Sequence, residues 1–173
     1  MFIPKIAYVS GGLTKMSETK RKRLRRFYES IGRVCEAEGL VPYIPHKYGD
    51  PKLLAHLTPA QIDRIDRLAV TQSYLLIAYV GDATTGGGIE VEMANHAYKP
   101  VILAYERKAL EAREISRLVR GNPSIRDQVP FDTTREAMSG IKLAIQKFEA
   151  EILAENLPDI LSLARPEREP RLF

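Results

Sequence analysis

Short, continuous hydrophobic runs alternate along this chain with longer stretches in which apolar residues recur every three or four positions. A short apolar run bounded by glycine or polar residues predicts a buried strand, whereas the wider spacing predicts a helix with one apolar face. The predicted strands are residues 5–9, 40–44, 74–80, 99–105 and 128–131. The third run is the most continuous, which is typical of a central strand covered on both faces.

Helices are predicted between these strands and after the last one. They cover about residues 18–38, 59–72, 87–98, 108–120 and 133–156. Ser17 and Thr58 are the predicted N-caps of the first two, because their hydroxyls accept a hydrogen bond from a free backbone amide of the first turn. Pro59 suits a first helical position, and Gly39 suits the residue after a helix end. Residues 46–51 are predicted to form a polar loop.

The alternation of strands and helices predicts an α/β protein. We expect a three-layer, Rossmann-like fold in which helices cover both faces of a mostly parallel sheet of about five strands. Ligands of such sheets bind at the carboxyl ends of the strands. No repeat or linker divides the chain, so we expect one domain over residues 1–164 and a poorly ordered tail over residues 165–173.

Composition narrows the class of protein. The chain has 173 residues, of which 45% are hydrophobic, and a single cysteine, Cys35. One cysteine excludes an internal disulfide framework and Cys-rich zinc sites, and it fits a reducing environment. No apolar stretch approaches the roughly 20 residues of a membrane-spanning helix, and no signal peptide precedes the first strand. We therefore expect a cytoplasmic protein without membrane association.

Two glycine-containing loops follow predicted strands and are expected at the same edge of the sheet. They are residues 10–14 and residues 81–88. Glycines let backbone amides approach a ligand, and the positive end of the helix after the second loop points to the same place, which favours an anion such as phosphate. The alternative is a pair of ordinary tight turns, since neither loop has the spacing of a P-loop or a dinucleotide-binding motif.

Two carboxylates are candidates for chemistry near these loops. Glu90 lies just after the glycines, where a helix N-terminus stabilises an anion that acts as a nucleophile or holds a positive charge; the alternative is an ordinary first-turn acid. Asp66 borders an apolar helical stripe and is positioned to share a pocket with Glu90. Asp63 is the competing aspartate and is placed to pair with Arg67 instead. Glu92 is expected to be solvated or bonded locally.

A basic run over residues 20–26 is the most prominent charge feature of a chain whose net charge is +4. The helical apolar spacing continues through this run and no aromatic residues interrupt it, so a solvated helix face is favoured over a nucleic-acid site. The three histidines, His46, His56 and His96, lack the spacing of metal ligands. No metal or other cofactor is implied.

Three motifs resemble those of a known group of proteins. They are YVSGGLT at residues 8–14, TTGGGIEVEMA at residues 84–94 and KPVIL at residues 99–103. Together they resemble the nucleoside 2-deoxyribosyltransferase-like superfamily, and within it most closely the 2′-deoxynucleoside 5′-phosphate N-hydrolases. The resemblance extends over about residues 5–150.

The resemblance implies catalytic roles. Glu90 matches the nucleophile that attacks the sugar C1′ and forms a covalent glycosyl-enzyme, and Asp66 matches the acid that orients or protonates the departing base. Tyr8 is placed to hydrogen-bond Glu90 and tune its ionisation. His46 is implied to lie near the base. Water then releases the sugar phosphate, whereas a second base as acceptor gives transferase activity.

Substrate contacts and a homodimer with shared active sites are also implied. A hydroxyl at Thr84 is typical of the phosphate-handling hydrolases, and Ser116 lies in a stretch whose serine reaches the phosphate bound by the neighbouring subunit. The implied substrate-binding residues are Gly11, Gly12, Thr14, His46, Thr84, Gly86, Gly88 and Ser116. Gly12 and Thr14 depart from the family pattern of a serine and an arginine, and Glu92 stands where a glycine is usual.

The expected function is therefore that of an N-glycosidase which releases the base from (deoxy)nucleoside 5′-monophosphates. A nucleoside 2-deoxyribosyltransferase is one alternative. A non-catalytic nucleotide-binding module is another, favoured by Glu92 and the altered first loop. A nucleic-acid-associated protein that uses the basic run is a third. The expected partners are a small nucleotide and a second copy of the chain, without nucleic acid or membrane.

Overall fold

The computed structural model of the protein describes residues 4–14, 16–48, 56–82 and 84–163, with side chains as far as residue 156. Within these ranges the strands are β1 (Ile6–Ser10), β2 (Val41–Tyr43), β3 (Leu75–Tyr79), β4 (Val101–Glu106) and β5 (Ile125–Phe131). The helices are α1 (Glu18–Ala37), α2 (Pro45–Tyr48), α3 (Pro59–Gln72), α4 (Thr85–His96), α5 (Arg107–Glu111), α6 (Arg117–Arg120) and α7 (Thr134–Leu163).

All five strands pair in parallel, in the order β2-β1-β3-β4-β5. Residues of β3 alternate between two hydrophobic clusters, because successive side chains of a strand point to opposite faces. Leu75 and Ile77 pack in the cluster that includes α1 and α7, and Leu76 and Ala78 in the cluster that includes α3 and α4. The predicted three-layer α/β fold is therefore confirmed.

Local sequence signals set most element boundaries. Ser17 accepts a hydrogen bond from the Lys20 amide at 3.3 Å, and Thr58 forms a capping box with Gln61. Gly39 has a φ of 77°, a left-handed conformation that glycine adopts without strain. The predicted caps and the end of α1 are confirmed.

Both edge strands of the sheet contain a proline. Pro42 is the central residue of β2, and Pro130 lies near the end of β5. The amide of Val41 donates to the Lys5 carbonyl beside β1, so the nitrogen of the next residue, Pro42, faces the open edge. Proline is confined to such positions because it has no amide hydrogen for a central ladder.

Two predicted segments have a different secondary structure. His46 lies in the short helix α2 instead of a loop, and residues 49–51 lie outside the described residues. The single helix predicted at residues 108–120 is divided into α5 and α6. Arg113 between them has a φ of 60°, and the next turn buries Ile115 in the core, which ends the helical path.

The last helix is longer than its sequence pattern indicates. Helix α7 continues to Leu163, whereas the prediction ends near Asn156, where poorer helix formers such as asparagine and Pro158 begin. The predicted tail at residues 165–173 lies outside the described residues. Among the helices that are described, none is long and apolar enough to cross a membrane.

Candidate active site

The two glycine-containing loops meet at the carboxyl ends of β1 and β3. A Cβ added to Gly12 would lie 2.0 Å from Cγ2 of Thr84, so only glycine permits this approach of the loops. Thr84 is the N-cap of α4, and its hydroxyl oxygen accepts a hydrogen bond from the Gly87 amide at 3.2 Å. The close contact places the first loop beside the N-terminus of α4.

Glu90, in the second turn of α4, is bonded through both carboxylate oxygens. The Tyr8 hydroxyl donates to Oε1 at 2.8 Å, and the Ser10 hydroxyl donates to Oε2. Tyr8 and Ser10 lie on the same face of β1 because side chains two residues apart in a strand point the same way. Both are fully buried, so strand β1 fixes the orientation of the carboxylate.

Opposing influences set the ionisation of Glu90. Burial raises the pKa of its carboxyl group, the hydrogen bonds from Ser10 and Tyr8 lower it, and the negative charge of Asp66 raises it further; the result is a pKa above the usual 4.5. Burial also raises the pKa of Tyr8, which therefore remains a protonated donor. The site holds a carboxylate that is oriented for reaction and still able to take up a proton.

Asp66 of α3 belongs to the same site. Its charge acts on Glu90, on Tyr8 and on Tyr43 of β2. Burial, followed by the charge of Asp63, raises the pKa of the half-buried Asp66 carboxyl group.

The competing aspartate has a different environment. Asp63 is exposed and pairs with Arg67 one turn along α3, with 3.1 Å between Oδ1 and a guanidinium nitrogen. The predicted pairing of Asp63 with Arg67 is present, whereas Asp66 acts on Glu90 through its charge.

The glycines at the start of α4 leave room beside the backbone. A Cβ added to Gly86 or Gly88 would meet no atom within 4 Å. Gly11 is different, because its Cβ would lie 2.3 Å from the ring of Tyr28, whose hydroxyl donates to the Gly12 carbonyl at 3.0 Å. Packing therefore explains Gly11, while Gly86 and Gly88 leave backbone accessible to a ligand.

Two predicted substrate-binding residues have other partners within the chain. His46 Nε2 lies 3.4 Å from Glu29 Oε1 of α1; burial lowers the pKa of this histidine, and Glu29 partly offsets the effect. Ser116 is exposed and caps α6 by accepting from the Val119 amide at 3.3 Å. No hydrogen bond between described residues joins either side chain to Glu90, and Thr14 is exposed on the first loop.

Glu92 faces away from the site. It is exposed, its Oε1 lies 3.3 Å from His96 Nε2, and it accepts hydrogen bonds from Asn95 at 3.2 Å and from Asn122 at 2.8 Å. These contacts match the predicted local bonding. A glutamate held this way is not aligned with the donors on β1.

Sequence reasoning missed two features of the site. Ser10 belongs to the glycine loop motif and follows Tyr8 by two residues. This spacing is the sequence signal that both side chains point to the same face of the sheet, where they meet Glu90. Tyr43 stacks on Tyr8 with ring centroids 5.4 Å apart, and Tyr48 stacks on Tyr43 at 5.0 Å. That stack depends on the pairing of Tyr8 with Tyr43 between strands, which the sequence pattern does not specify.

The described part of the chain contains no group of three or more histidine, cysteine or acidic side chains that is arranged to hold a metal ion. The groups that bear on chemistry here are thus two carboxylates, the hydroxyls of β1 and the amides of the glycine loop.

Comparison with known proteins shows that several solved structures share this fold. The CMP N-glycosidase BcmB of Clostridium botulinum superposes with a TM-score of 0.60 at 17% identity, over 80% of this chain and 99% of that one. BlsM superposes with a TM-score of 0.64 at 20% identity, over 96% and 98%. A 2-desoxiribosyltransferase from Leishmania mexicana gives a TM-score of 0.51 at 13% identity, over 80% and 97%.

Comparison of sequences finds no match, whereas comparison of structures finds several. No protein-family model matches the chain, and no curated protein matches its sequence. Identities of 20% or less to the solved structures leave the fold as the shared property. The chain therefore shares the α/β fold of these three solved structures.

Proposed function

We propose that the protein is an N-glycosidase that removes the base from (deoxy)nucleoside 5′-monophosphates, with Glu90 as the nucleophile. The observation that carries the proposal is the Glu90 carboxylate, held through both oxygens by Tyr8 and Ser10 beside a second acid, Asp66. The shared fold with a CMP N-glycosidase and a 2-desoxiribosyltransferase supports the same class of reaction.

The chemistry follows from the two carboxyl groups. Cleavage of the bond between C1′ and the base nitrogen builds positive charge at C1′, which ionised Glu90 stabilises before forming an ester bond to that carbon. Protonated Asp66 gives its proton to the departing base, a role that its raised pKa favours. Water then breaks the ester, leaving its hydroxyl on C1′ and returning a proton to Asp66.

The start of α4 supports a phosphate on the substrate. Open space beside Gly86 and Gly88 lets a ligand approach the start of α4, where amides of a helix N-terminus favour an anion. The Gly87 and Gly88 amides already donate to Thr84, so the amides before Gly87 are the ones that can bind it. Thr84 adds a hydroxyl beside the first loop. We propose that these groups hold the 5′-phosphate.

We further propose a homodimer in which Ser116 of each chain completes the phosphate site of its partner. The exposure of Ser116 at the start of α6 and the motif resemblance support this arrangement.

The test is a panel of nucleoside 5′-monophosphates and the matching nucleosides, with release of free base as the readout. We expect release from monophosphates by the natural protein, and loss of at least about 1,000-fold in Glu90→Gln because the nucleophile is gone. Glu92→Gln is the matched control, since this exposed glutamate lies on the same helix and bonds elsewhere. Its rate should be unchanged.

Three outcomes would contradict the proposal. Near-normal turnover by Glu90→Gln would exclude Glu90 as the nucleophile. Base release that requires a second base as acceptor would identify a transferase. Tight binding of nucleotides without any base release would identify a binding module.

A further inference from the structure

A cavity lies at the carboxyl-end edge of the sheet, apart from the residues proposed for the active site. It has a volume of about 590 Å³ and lies between α1 and the carboxyl ends of β3, β4 and β5. None of the residues proposed for the active site lines it. The proposed N-glycosidase reaction therefore does not account for this cavity.

Four basic side chains surround the cavity, and three of them come from the basic run of α1. They are Lys22, Arg23 and Arg26 of α1 and Lys108 of α5. No hydrogen bond or ion pair joins any of these four side chains to another residue in the described ranges. By contrast, Lys20 of the same run pairs with Asp82. The basic run is thus only partly the solvated helix face that its sequence suggests.

The two acidic residues of the lining already have partners. Both oxygens of Glu106 accept from the Tyr79 hydroxyl at 2.9 Å, and Asp132 pairs with Arg107 at 2.6 Å. The Tyr79 hydroxyl is neutral, so Glu106 keeps its negative charge, but the four basic side chains without a partner in the described ranges outnumber it. An anion is therefore attracted without displacing an existing ion pair.

Part of the cavity wall is apolar. Phe27 of α1 and Phe131 of β5 contribute to its wall, with ring centroids 5.5 Å apart, and both are more than nine-tenths buried. Cationic side chains above an apolar wall suit a ligand that combines a phosphate with an apolar or aromatic group. A volume of about 590 Å³ falls within the usual range of small-molecule pockets.

We propose that this cavity is a second binding site that takes a small organic phosphate. The phosphate contacts the four basic side chains, and the apolar part of the ligand lies against Phe27 and Phe131. The volume of about 590 Å³ favours a small molecule over a nucleic-acid strand. The proposal does not depend on the N-glycosidase activity.

The probe for this site is phenyl phosphate, which has no N-glycosidic bond and so cannot be consumed by the proposed reaction. Titration into ¹⁵N-labelled protein should shift the amides of residues 22–30, 106–108 and 131–134 in a saturable way. Reversing two charges in Arg23→Glu/Arg26→Glu should weaken binding at these amides about tenfold or more, because two cationic contacts with the phosphate become repulsive.

Arg33→Glu is the matched control, because Arg33 is an exposed arginine of the same helix that does not line the cavity. Its affinity for phenyl phosphate should equal that of the natural protein. If the double variant fails to fold, Lys108→Glu tests the site from the opposite wall.

The proposal is wrong if phenyl phosphate shifts only amides of residues 8–14 and 84–90, or if Arg33→Glu weakens binding as much as the double variant. A single-stranded oligonucleotide provides the remaining comparison. Binding that strengthens with its length, falls steeply with salt and exceeds that of phenyl phosphate would instead identify a nucleic-acid surface.

Discussion

At the scale of single residues, the ionisation of Glu90 depends on a competition that strand β1 controls. Burial and the nearby Asp66 favour the neutral acid, and two hydroxyl donors favour the anion. Removing one donor therefore changes the pH at which the nucleophile becomes available, without removing the nucleophile itself.

Tyr8→Phe tests this control. Loss of the hydroxyl that donates to Glu90 raises the pKa of the glutamate, because a hydrogen bond to the charged form is lost. Ionised Glu90 is then available only at higher pH, so the acid limb of the profile of kcat/KM against pH should move upward by about one unit or more.

Tyr105→Phe is the control for this experiment, since that hydroxyl bonds Gln128 on β5 and not Glu90. Its acid limb should coincide with that of the natural protein. A profile of Tyr8→Phe that stays in place, or moves to lower pH, would show that the Tyr8 hydroxyl does not set the ionisation of the nucleophile.

Asp66→Asn and Asp63→Asn separate two aspartates one turn apart. An amide at position 66 cannot deliver a proton to the departing base, so we expect base release to slow by roughly 100-fold or more. Asp63→Asn should leave the rate near normal, because Asp63 is exposed and its ion pair with Arg67 has little influence on the fold. Equal losses in the two variants would contradict the assignment.

The residues of the site differed in how far sequence could identify them. Glu90, Asp66 and Tyr8 carry a motif resemblance and follow from it, and the structure brings the three together. Ser10 and the stacked Tyr43 were missed because their roles arise from alternation along β1 and from its pairing with β2. Both depend on which strands become neighbours, a property of the whole sheet.

At the scale of elements, the N-terminus of α4 contributes both to the stability of this helix and to the proposed active site. Thr84 caps this helix and contacts Gly12 of the first loop. The helix that carries Glu90 is therefore fixed by the same residue that we propose to contact the phosphate.

Thr84→Ala should lower the free energy of unfolding by about 1 kcal/mol, because the side-chain oxygen that accepts from the Gly87 amide is lost. Thr84→Ser retains this oxygen and should recover most of the loss. Urea denaturation gives the measurement, and Thr85→Ala, at the exposed neighbouring position, is the control. Equal stability of Thr84→Ala and the natural protein would show that the cap contributes nothing.

The strands and the long helices were predicted from sequence, and the short helices were not. Helices α1, α3 and α4 have enough residues to display a period, and the strands, including the three-residue β2, stand out as apolar runs. Helix α2 has four residues, too few to repeat a pattern. The break between α5 and α6 follows from the burial of Ile115 and the left-handed Arg113, which only the packed fold imposes.

At the scale of the whole molecule, the proposed active site requires a second chain. Mixing tests this directly. In a heterodimer of Glu90→Ala and Ser116→Ala chains, both defects meet in one site and the other site is intact. Random exchange of subunits should thus restore about a quarter of the natural sites, above the activity of either parent.

The mixing experiment is read by base release before and after subunit exchange, with each variant alone as its control. A protein that remains monomeric by sedimentation, or a mixture no more active than the average of its parents, would contradict a shared site. Similar rates on nucleosides and their monophosphates would argue against the phosphate contact itself.

The prolines of the two edge strands have a consequence for behaviour at high concentration. An open edge with a regular row of amide donors recruits strands from other molecules and grows into fibrils. Pro42 interrupts that row in β2, which has only three residues, and Pro130 interrupts it in β5. Growth by strand addition is opposed at both ends of the sheet, so copies of this chain that associate should do so through their helices.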